Sequence, residues 1–221
     1  YLKPYWSSSQ IYNETATFVG EEGEATLIYT PETVYSVKNY TLDITYTEGV
    51  DYEIKGNKIC RLKGGSMPYW EVDEYFLTEP NNAAAVIGVD PTKAEFDFKE
   101  PRYLYYGETD TITKKQIAVT YSHRESYDGK IPQRQADKLA AVLQKIEDKQ
   151  DLNIMVYGDS VAVGCNASGT KWGGNVNPHM PDAYNIVKQF LEKRMGVKVN
   201  LQNEAVGGWR VSDCINGYPS R

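Results

Sequence analysis

A serine that follows a predicted buried strand is the first candidate for chemistry in this chain. Leu152–Tyr157 is a short, nearly continuous apolar run, and Gly158-Asp159-Ser160 come directly after it. A hydroxyl at such a strand end can attack an acyl carbon, provided that a base takes its proton and donors hold the oxyanion. The alternative is that Ser160 only caps a helix, the commoner role of a serine at this position. The chain has two histidines, His123 and His179, as candidates for the base.

Glycines follow the next predicted strand. Val197–Asn203 leads into Glu204-Ala205-Val206-Gly207-Gly208, and a glycine lets a backbone N–H approach a substrate oxygen without a Cβ in the way. Other motifs with defined chemistry do not fit these segments. Gly164 is not followed by the Lys-Ser/Thr of a phosphate-binding loop, and no G-x-G-x-x-G follows a strand. The G-x-S-x-G motif of α/β-hydrolases also fails, because position 162 is alanine.

A predicted helix between the two strands completes the unit that positions these residues. Asp182 can cap this helix and Gly196 can end it. Its inner face carries Ala183, Ile186, Val187, Phe190 and Leu191. Strand, helix and strand form a βαβ unit, for which we expect a right-handed crossover. Because sites in open α/β sheets form at the carboxyl ends of the strands, Ser160 and the glycines should share one crevice.

The region before residue 131 has a different composition and predicts an antiparallel β-sandwich. Residues 1–130 hold 21 acidic and 13 basic side chains and 15 of the 18 tyrosines, against 9 acidic and 11 basic side chains over 131–221. Such a change indicates a domain boundary. Predicted strands are 25–29, 41–46, 95–98 and 116–121. A hairpin is predicted where 52–54 and 59–62 flank Lys55-Gly56-Asn57-Lys58.

Residues 131–150 are expected to link the two regions as a helix. Pro132 can open it, and one face carries Ala136, Leu139, Val142, Leu143 and Ile146. We expect this stripe to pack the β-domain beside the crevice. The predicted organisation is an accessory β-sandwich domain over 1–130, a linking helix over 131–150 and a partial α/β domain over 151–221.

Charge and composition exclude several classes of protein. The net charge of −6 and the pI of 5.1 argue against nucleic-acid binding. No apolar run approaches the ~18 residues of a membrane span, and no signal peptide stands at the start. The three cysteines are too few and too scattered for a disulfide framework or a zinc site, so we expect no metal and no cofactor. Cys165 and Cys214 could pair, or stay reduced.

Two segments resemble the SGNH (GDSL) hydrolases. Gly158-Asp159-Ser160, followed by 164–169, looks like the first block of that family, and Asn203–Trp209 looks like the second, with one amphipathic helix between. Lys115–His123 is similar to the end of the accessory β-domain in a bacterial subgroup of carbohydrate-esterase type. The resemblance implies a jelly-roll-like β-sandwich followed by the N-terminal part of a three-layer, flavodoxin-like α/β hydrolase domain.

The resemblance also implies roles for individual residues. Ser160 would be the nucleophile, and its own N–H and that of Gly208 would form the oxyanion hole, with Gly207 as the alternative donor. Asp159 would brace the loop rather than react. Trp209 could stack on a sugar ring near the crevice, and so could Trp172, although packing is an equal alternative for both.

The family's two further blocks, G-x-N-D and Asp-x-x-His, do not occur in the sequence. His123 is preceded by Thr120 rather than by an aspartate three residues earlier, and His179 is preceded by Val176 in the same way. We therefore expect this chain alone to be inactive, with Arg221 an artificial end and the missing C-terminal fragment of the same protein as a partner.

The predicted function is that of a serine esterase which removes an O-acyl group, most plausibly acetyl, from a carbohydrate such as a plant polysaccharide. Two alternatives stay open: a carbohydrate-binding module in which the tyrosine-rich β-domain does the work, and a lipase-like acylhydrolase that acts on longer chains. The expected substrate is an acylated carbohydrate or another small ester, and the expected location is secreted or at the cell surface.

Overall fold

The computed structural model describes residues 5–82, 88–89, 98–107, 110–131, 133 and 135–217. The chain divides into two compact units, Tyr1–Gly129 and Lys130–Arg221. The architecture is mixed and strand-rich, with several small sheets and short helices. None of the helices in these ranges has the length and hydrophobicity that crossing a membrane requires.

The strands described in the first unit form three small antiparallel sheets. They are β1 Gln10–Thr17, β2 Glu24–Thr26, β3 Thr33–Asn39, β4 Tyr52–Lys55, β5 Lys58–Arg61, β6 Phe76–Leu77, β7 Gly88–Val89, β8 Arg102–Leu104 and β9 Gln116–Ser122. The strand orders are β1-β9-β3, β2-β5-β4 and β6-β8-β7. Two helices of four residues each, α1 Val72–Tyr75 and α2 Asp110–Thr113, and a 3₁₀ turn, Tyr5–Ser7, complete the unit.

Several sequence predictions for this unit are confirmed. β4 and β5 form the expected hairpin, which turns at Gly56-Asn57, where Gly56 has a φ of +61°. The strand predicted over 116–121 is β9, the central strand of its sheet. Of the strand predicted over 25–29, only residues 25 and 26 are in a strand, as part of β2. Residues 95–97 of the strand predicted over 95–98 lie outside the described residues.

The strand predicted over 41–46 is wrong, because the side chain of Asn39 organises a turn there. Its Oδ1 accepts hydrogen bonds from the backbone N–H groups of Asp43 at 3.1 Å and Ile44 at 3.0 Å, and its Nδ2 donates to Thr41 Oγ1 at 2.6 Å. Leu42 takes a left-handed φ of +64°. Local bonds of this kind compete with a strand ladder, so the strand lies earlier, at β3.

The core of the first unit gathers around β9. Its largest fully buried side chains are Phe18, Leu27, Val37, Ile59, Met67, Ile117, Val119 and Tyr121. A buried arginine ties the loops at its edge, since the guanidinium of Arg61 donates to the carbonyls of Glu21, Leu62, Gly65 and Met67. Residues 117–121 of β9 are all buried, as expected of the central strand of its sheet, whereas burial alternates along β3.

The second unit is built on a parallel strand pair. β10 Leu152–Val156 and β11 Val199–Asn203 pair from Leu152–Val199 to Val156–Asn203. The helices are α3 Ala140–Glu147, α4 Ser160–Val163, α5 Ala183–Phe190 and α6 Val211–Gly217. A π-helical turn, Leu191–Met195, extends α5. The predicted succession of strand, helix and parallel strand is thereby confirmed.

The predicted ends of the middle helix are also confirmed. The Oδ1 atom of Asp182 accepts hydrogen bonds from the N–H groups of Tyr184 and Asn185, both at 3.0 Å, and Gly196 ends the helix with a φ of +65°. The small core below consists of Leu152, Val197 and Val199, against which Ile146, Ile154, Leu191, Met195 and Leu201 pack.

The linking helix is shorter than predicted. It consists of a 3₁₀ turn, Asp137–Leu139, and α3, while Pro132 lies outside the described residues. Ile146 packs on the core of the second unit, but Leu139 and Val142 are exposed. Only the C-terminal end of the predicted apolar stripe is thus in contact with a core.

Candidate active site

The turn from β10 into α4 presents Ser160 at the carboxyl end of the sheet. Asp159 caps α4, since its Oδ1 accepts hydrogen bonds from the N–H groups of Val161 at 3.0 Å and Ala162 at 3.5 Å. Gly158 is required by space, because a Cβ on it would lie 2.8 Å from the Cβ of Ala162. Asp159 therefore shapes the loop, and the half-buried Ser160 is the first residue of the helix.

The segment after β11 comes to the same place. The N–H of Val206 donates to the carbonyl of Gly158 at 3.0 Å, and Asn203 Nδ2 donates to the carbonyl of Ala162 at 2.8 Å. As a result, a Cβ built onto Gly207 would lie 3.8 Å from Ser160 Cβ. The structure thus brings together the serine and the glycine segment that the sequence analysis selected.

Two backbone donors at this junction have no acceptor in the part of the chain that the structure describes. Among the described residues, nothing accepts a hydrogen bond from the N–H of Ser160 or from that of Gly208. Gly208 has a φ of +82°, a left-handed conformation that glycine adopts without strain, and a Cβ there would meet no atom within 4 Å. Unpaired donors beside a nucleophile are the groups that an oxyanion needs.

None of the described side chains is hydrogen-bonded to Ser160 Oγ as a base. Within the part of the chain that the structure describes, no hydrogen bond joins Ser160 Oγ to another side chain. His179 is exposed, with its Nδ1 3.2 Å from Asn175 Oδ1. His123 is only 3% exposed and stacks on Tyr29 in the first unit, with ring centroids 3.8 Å apart. The structure therefore joins neither histidine to the serine.

A buried aspartate holds the loop that follows α4. A Cβ on Gly164, which has a φ of +85°, would lie 2.3 Å from Asp182 Cβ, so α4 ends against the cap of α5. Burial raises the pKa of Asp182, but hydrogen bonds from the side chain and backbone of Asn185 and from the Tyr184 N–H outweigh it. The net result is a pKa below the ordinary value, and the carboxylate stays charged.

An open pocket in the second unit is lined in part by the three residues that precede Ser160. It holds about 550 Å³ and is lined by Tyr157, Gly158, Asp159, Trp209, Arg210, Val211, Cys214 and Ile215. The rings of Tyr157 and Trp209 meet edge to face at 5.7 Å, and the Trp209 ring also packs on Gly217 at the end of α6. The sequence analysis selected Trp209 here but missed the α6 residues, although the apolar Val211 and Ile215 are four positions apart.

Trp172 and the three cysteines are the remaining candidates from the sequence. Trp172 is exposed in the loop between α4 and α5. Cys60, Cys165 and Cys214 are free thiols. Across the described ranges, no group of three or more His, Cys, Asp or Glu side chains lies close enough together to hold a metal ion.

Comparison of the chain with protein-family models, with curated sequences and with solved structures gave no significant match. The similarity to SGNH hydrolases accordingly rests on the two segments that meet at Ser160.

Proposed function

We propose that the protein is a serine esterase of the SGNH type that removes an O-acyl group, acetyl in the simplest case, from a carbohydrate. One observation supports the proposal: Ser160 and Gly207 adjoin at the carboxyl ends of two parallel strands, and among the described residues nothing accepts a hydrogen bond from the N–H of Ser160 or of Gly208. A fold in which a jelly-roll-like β-sandwich precedes a flavodoxin-like α/β domain is part of the same proposal.

The proposed reaction has two steps. Ser160 Oγ attacks the carbonyl carbon of the ester, its proton passes to a base, and the carbonyl oxygen takes up the negative charge beside the N–H groups of Ser160 and Gly208. The alcohol leaves with the proton, and water then hydrolyses the acyl-enzyme by the same route. The resemblance implies that the base is the histidine of an Asp-x-x-His pair, which neither His123 nor His179 matches.

A second candidate function is carbohydrate binding by the first unit. Tyr12 and Tyr35 are both more than half exposed, on β1 and β3, which flank the central β9. Exposed aromatic faces can stack on sugar rings. The substitutions Tyr12→Ala and Tyr35→Ala should then weaken retention of the protein on insoluble polysaccharide and leave hydrolysis of a small soluble ester unchanged.

The test of the esterase is turnover of p-nitrophenyl acetate by the wild type and by its Ser160→Ala variant, each assayed together with a segment that carries the Asp-x-x-His pair implied by the resemblance. We expect kcat in the variant to fall to the uncatalysed background, since the proposed acyl-enzyme forms on Ser160. Ser212→Ala is the matched control, because Ser212 is an exposed serine on α6 and should be replaceable without effect. Equal turnover by the wild type and the Ser160→Ala variant would refute the proposal.

A further inference from the structure

Two exposed tyrosines lie on the strands that flank β9. Tyr12 on β1 is 54% exposed and Tyr35 on β3 is 57% exposed. Within β1, β3 and β9, all of which the structure describes in full, they are the only large hydrophobic side chains that are exposed.

Tyr12 lies in a β-bulge beside the middle of β9. The pairing of β1 with β9 gains one residue between Ile11 and Glu14, so Tyr12 and Asn13 both lie at the level of Thr120. The bulge is held there by two hydrogen bonds. The N–H of Asn13 donates to Thr120 Oγ1 at 3.1 Å, and Thr120 Oγ1 donates to Asn13 Oδ1 at 3.2 Å.

Tyr35 lies in a second bulge at the same level of β9. The pairing of β3 with β9 gains one residue between Val34 and Ser36, and Ser36 pairs with Thr120. Neighbouring strands lie ~4.8 Å apart and β9 runs between the other two, so the backbones of Tyr12 and Tyr35 are about 10 Å apart across the sheet.

Both rings lie on the face of the sheet that is turned away from the core. Val119 and Tyr121 belong to the core, so Thr120 between them lies on the opposite face. Ile11 is in the core and Val34 packs against it, and each directly precedes one of the two exposed tyrosines. The result is a surface with two aromatic rings and small polar side chains between them.

This surface suits a neutral glycan. A protein partner would favour a contiguous apolar patch, whereas here the two rings are separated by Ser36 and Thr120. A sugar ring has a C–H face that can stack on an aromatic ring, and its hydroxyl groups can lie against polar side chains. The surplus of 21 acidic over 13 basic side chains in residues 1–130 disfavours an anionic chain.

We propose that Tyr12 and Tyr35 form one binding site for a single linear, neutral polysaccharide chain, which lies across the strands and stacks on both rings. The proposal rests on the carbohydrate binding given above as the second candidate function, and it adds the direction, number and charge of the bound chains. A monosaccharide can contact only one ring, so affinity should rise steeply with the length of the chain.

Calorimetry with the full chain tests the site with glucose, cellohexaose, xylohexaose and hexagalacturonate. We expect one neutral hexasaccharide per protein, and about tenfold weaker binding in Tyr12→Ala and in Tyr35→Ala. Tyr12→Phe and Tyr35→Phe keep the ring and should change the affinity less than twofold. Tyr106→Ala is the matched control, since Tyr106 is 39% exposed and lies outside these three strands.

Two hexasaccharides per protein, an unchanged affinity in either alanine variant, tighter binding of hexagalacturonate, or no binding of either neutral hexasaccharide would overturn the proposal. Retention on insoluble polysaccharide separates this result from the candidate function itself. If retention still depends on the tyrosines, carbohydrate binding by the first unit stands and only the shared site is refuted.

Discussion

At the scale of single residues, Asp159, Ser160 and Gly208 have different roles at the two strand ends. The carboxylate of Asp159 caps α4. Among the described residues, no side chain is hydrogen-bonded to the hydroxyl of Ser160 and nothing accepts a hydrogen bond from the N–H of Gly208. A resemblance to a G-D-S sequence cannot by itself say which of its polar residues reacts. The hydrogen bonds of Asp159 favour the serine, because that carboxylate is already engaged.

Replacing Gly208 with alanine should lower kcat for ester hydrolysis by about 10²-fold, the usual effect of losing one oxyanion donor. A Cβ at this position meets no neighbour, but the φ of +82° strains any other residue, so the N–H should turn away. Gly174→Ala is the matched control, because Gly174 has a φ of +84° in the same unit. Similar losses of kcat in the two variants would show that general strain, and not the donor, is responsible.

At the scale of elements, hydrogen bonds from Val206 and Asn203 join the segment after β11 to the turn and helix after β10. Asn203 is the principal side-chain tether, with Nδ2 on the carbonyl of Ala162 and Oδ1 on the N–H of Ala205. One residue at the end of β11 thereby fixes both α4 and the start of the glycine segment. We expect the geometry of the proposed active site to depend on this amide, because it holds both segments in place.

The variant Asn203→Asp keeps the acceptor and loses the donor. We expect kcat to fall about tenfold with KM nearly unchanged, because a shift of the glycine segment misplaces the oxyanion donors. Asn200→Asp is the comparison, since Asn200 lies on the same strand and bonds instead to Asn153. A change confined to the midpoint of urea unfolding, with normal kcat, would make Asn203 purely structural.

Some of these elements can be predicted from the sequence and others cannot. The hairpin at Gly56-Asn57 and the helix that begins at Asp182 follow from local turn and cap chemistry, and both were predicted. The turn over 41–46 was not predicted, because it depends on where one side chain, that of Asn39, directs its hydrogen bonds. The tether of Asn203 joins residues 41 positions apart, a contact that no local pattern contains.

At the scale of the whole molecule, each unit contains a buried aspartate whose pKa is lowered. In the first unit, burial raises the pKa of Asp51, but hydrogen bonds from Thr47 and Ser66 and the charge of Arg61 outweigh this effect. In the second unit the pKa of Asp182 is lowered in the same way. Both carboxylates must take up a proton as the chain unfolds in acid, so both units should be sensitive to low pH.

The variant Asp182→Asn tests whether this carboxylate makes the stability of the second unit depend on pH. A folded pKa below the unfolded value of ~3.9 contributes stability that is present above that value and is lost as the pH falls toward the folded pKa. The wild type should therefore lose stability below about pH 4, and the variant, which keeps a good cap, should lose less. Urea unfolding at pH 7 and pH 3 measures the difference, with Glu147→Gln, an exposed site, as the control. Identical pH dependence in wild type and variant would contradict the role of Asp182.

The close approach of Gly158 to Ala162 has a consequence for how this site can vary. With only 2.8 Å between the position of a Cβ on residue 158 and the methyl of residue 162, the two sites can hold one methyl group between them. Random libraries over both codons should return Gly–Ala and Ala–Gly pairs and reject Ala–Ala. We therefore expect the residues at these two positions to depend on each other, and the glycine at 158 leaves the space for the alanine that excludes the G-x-S-x-G motif.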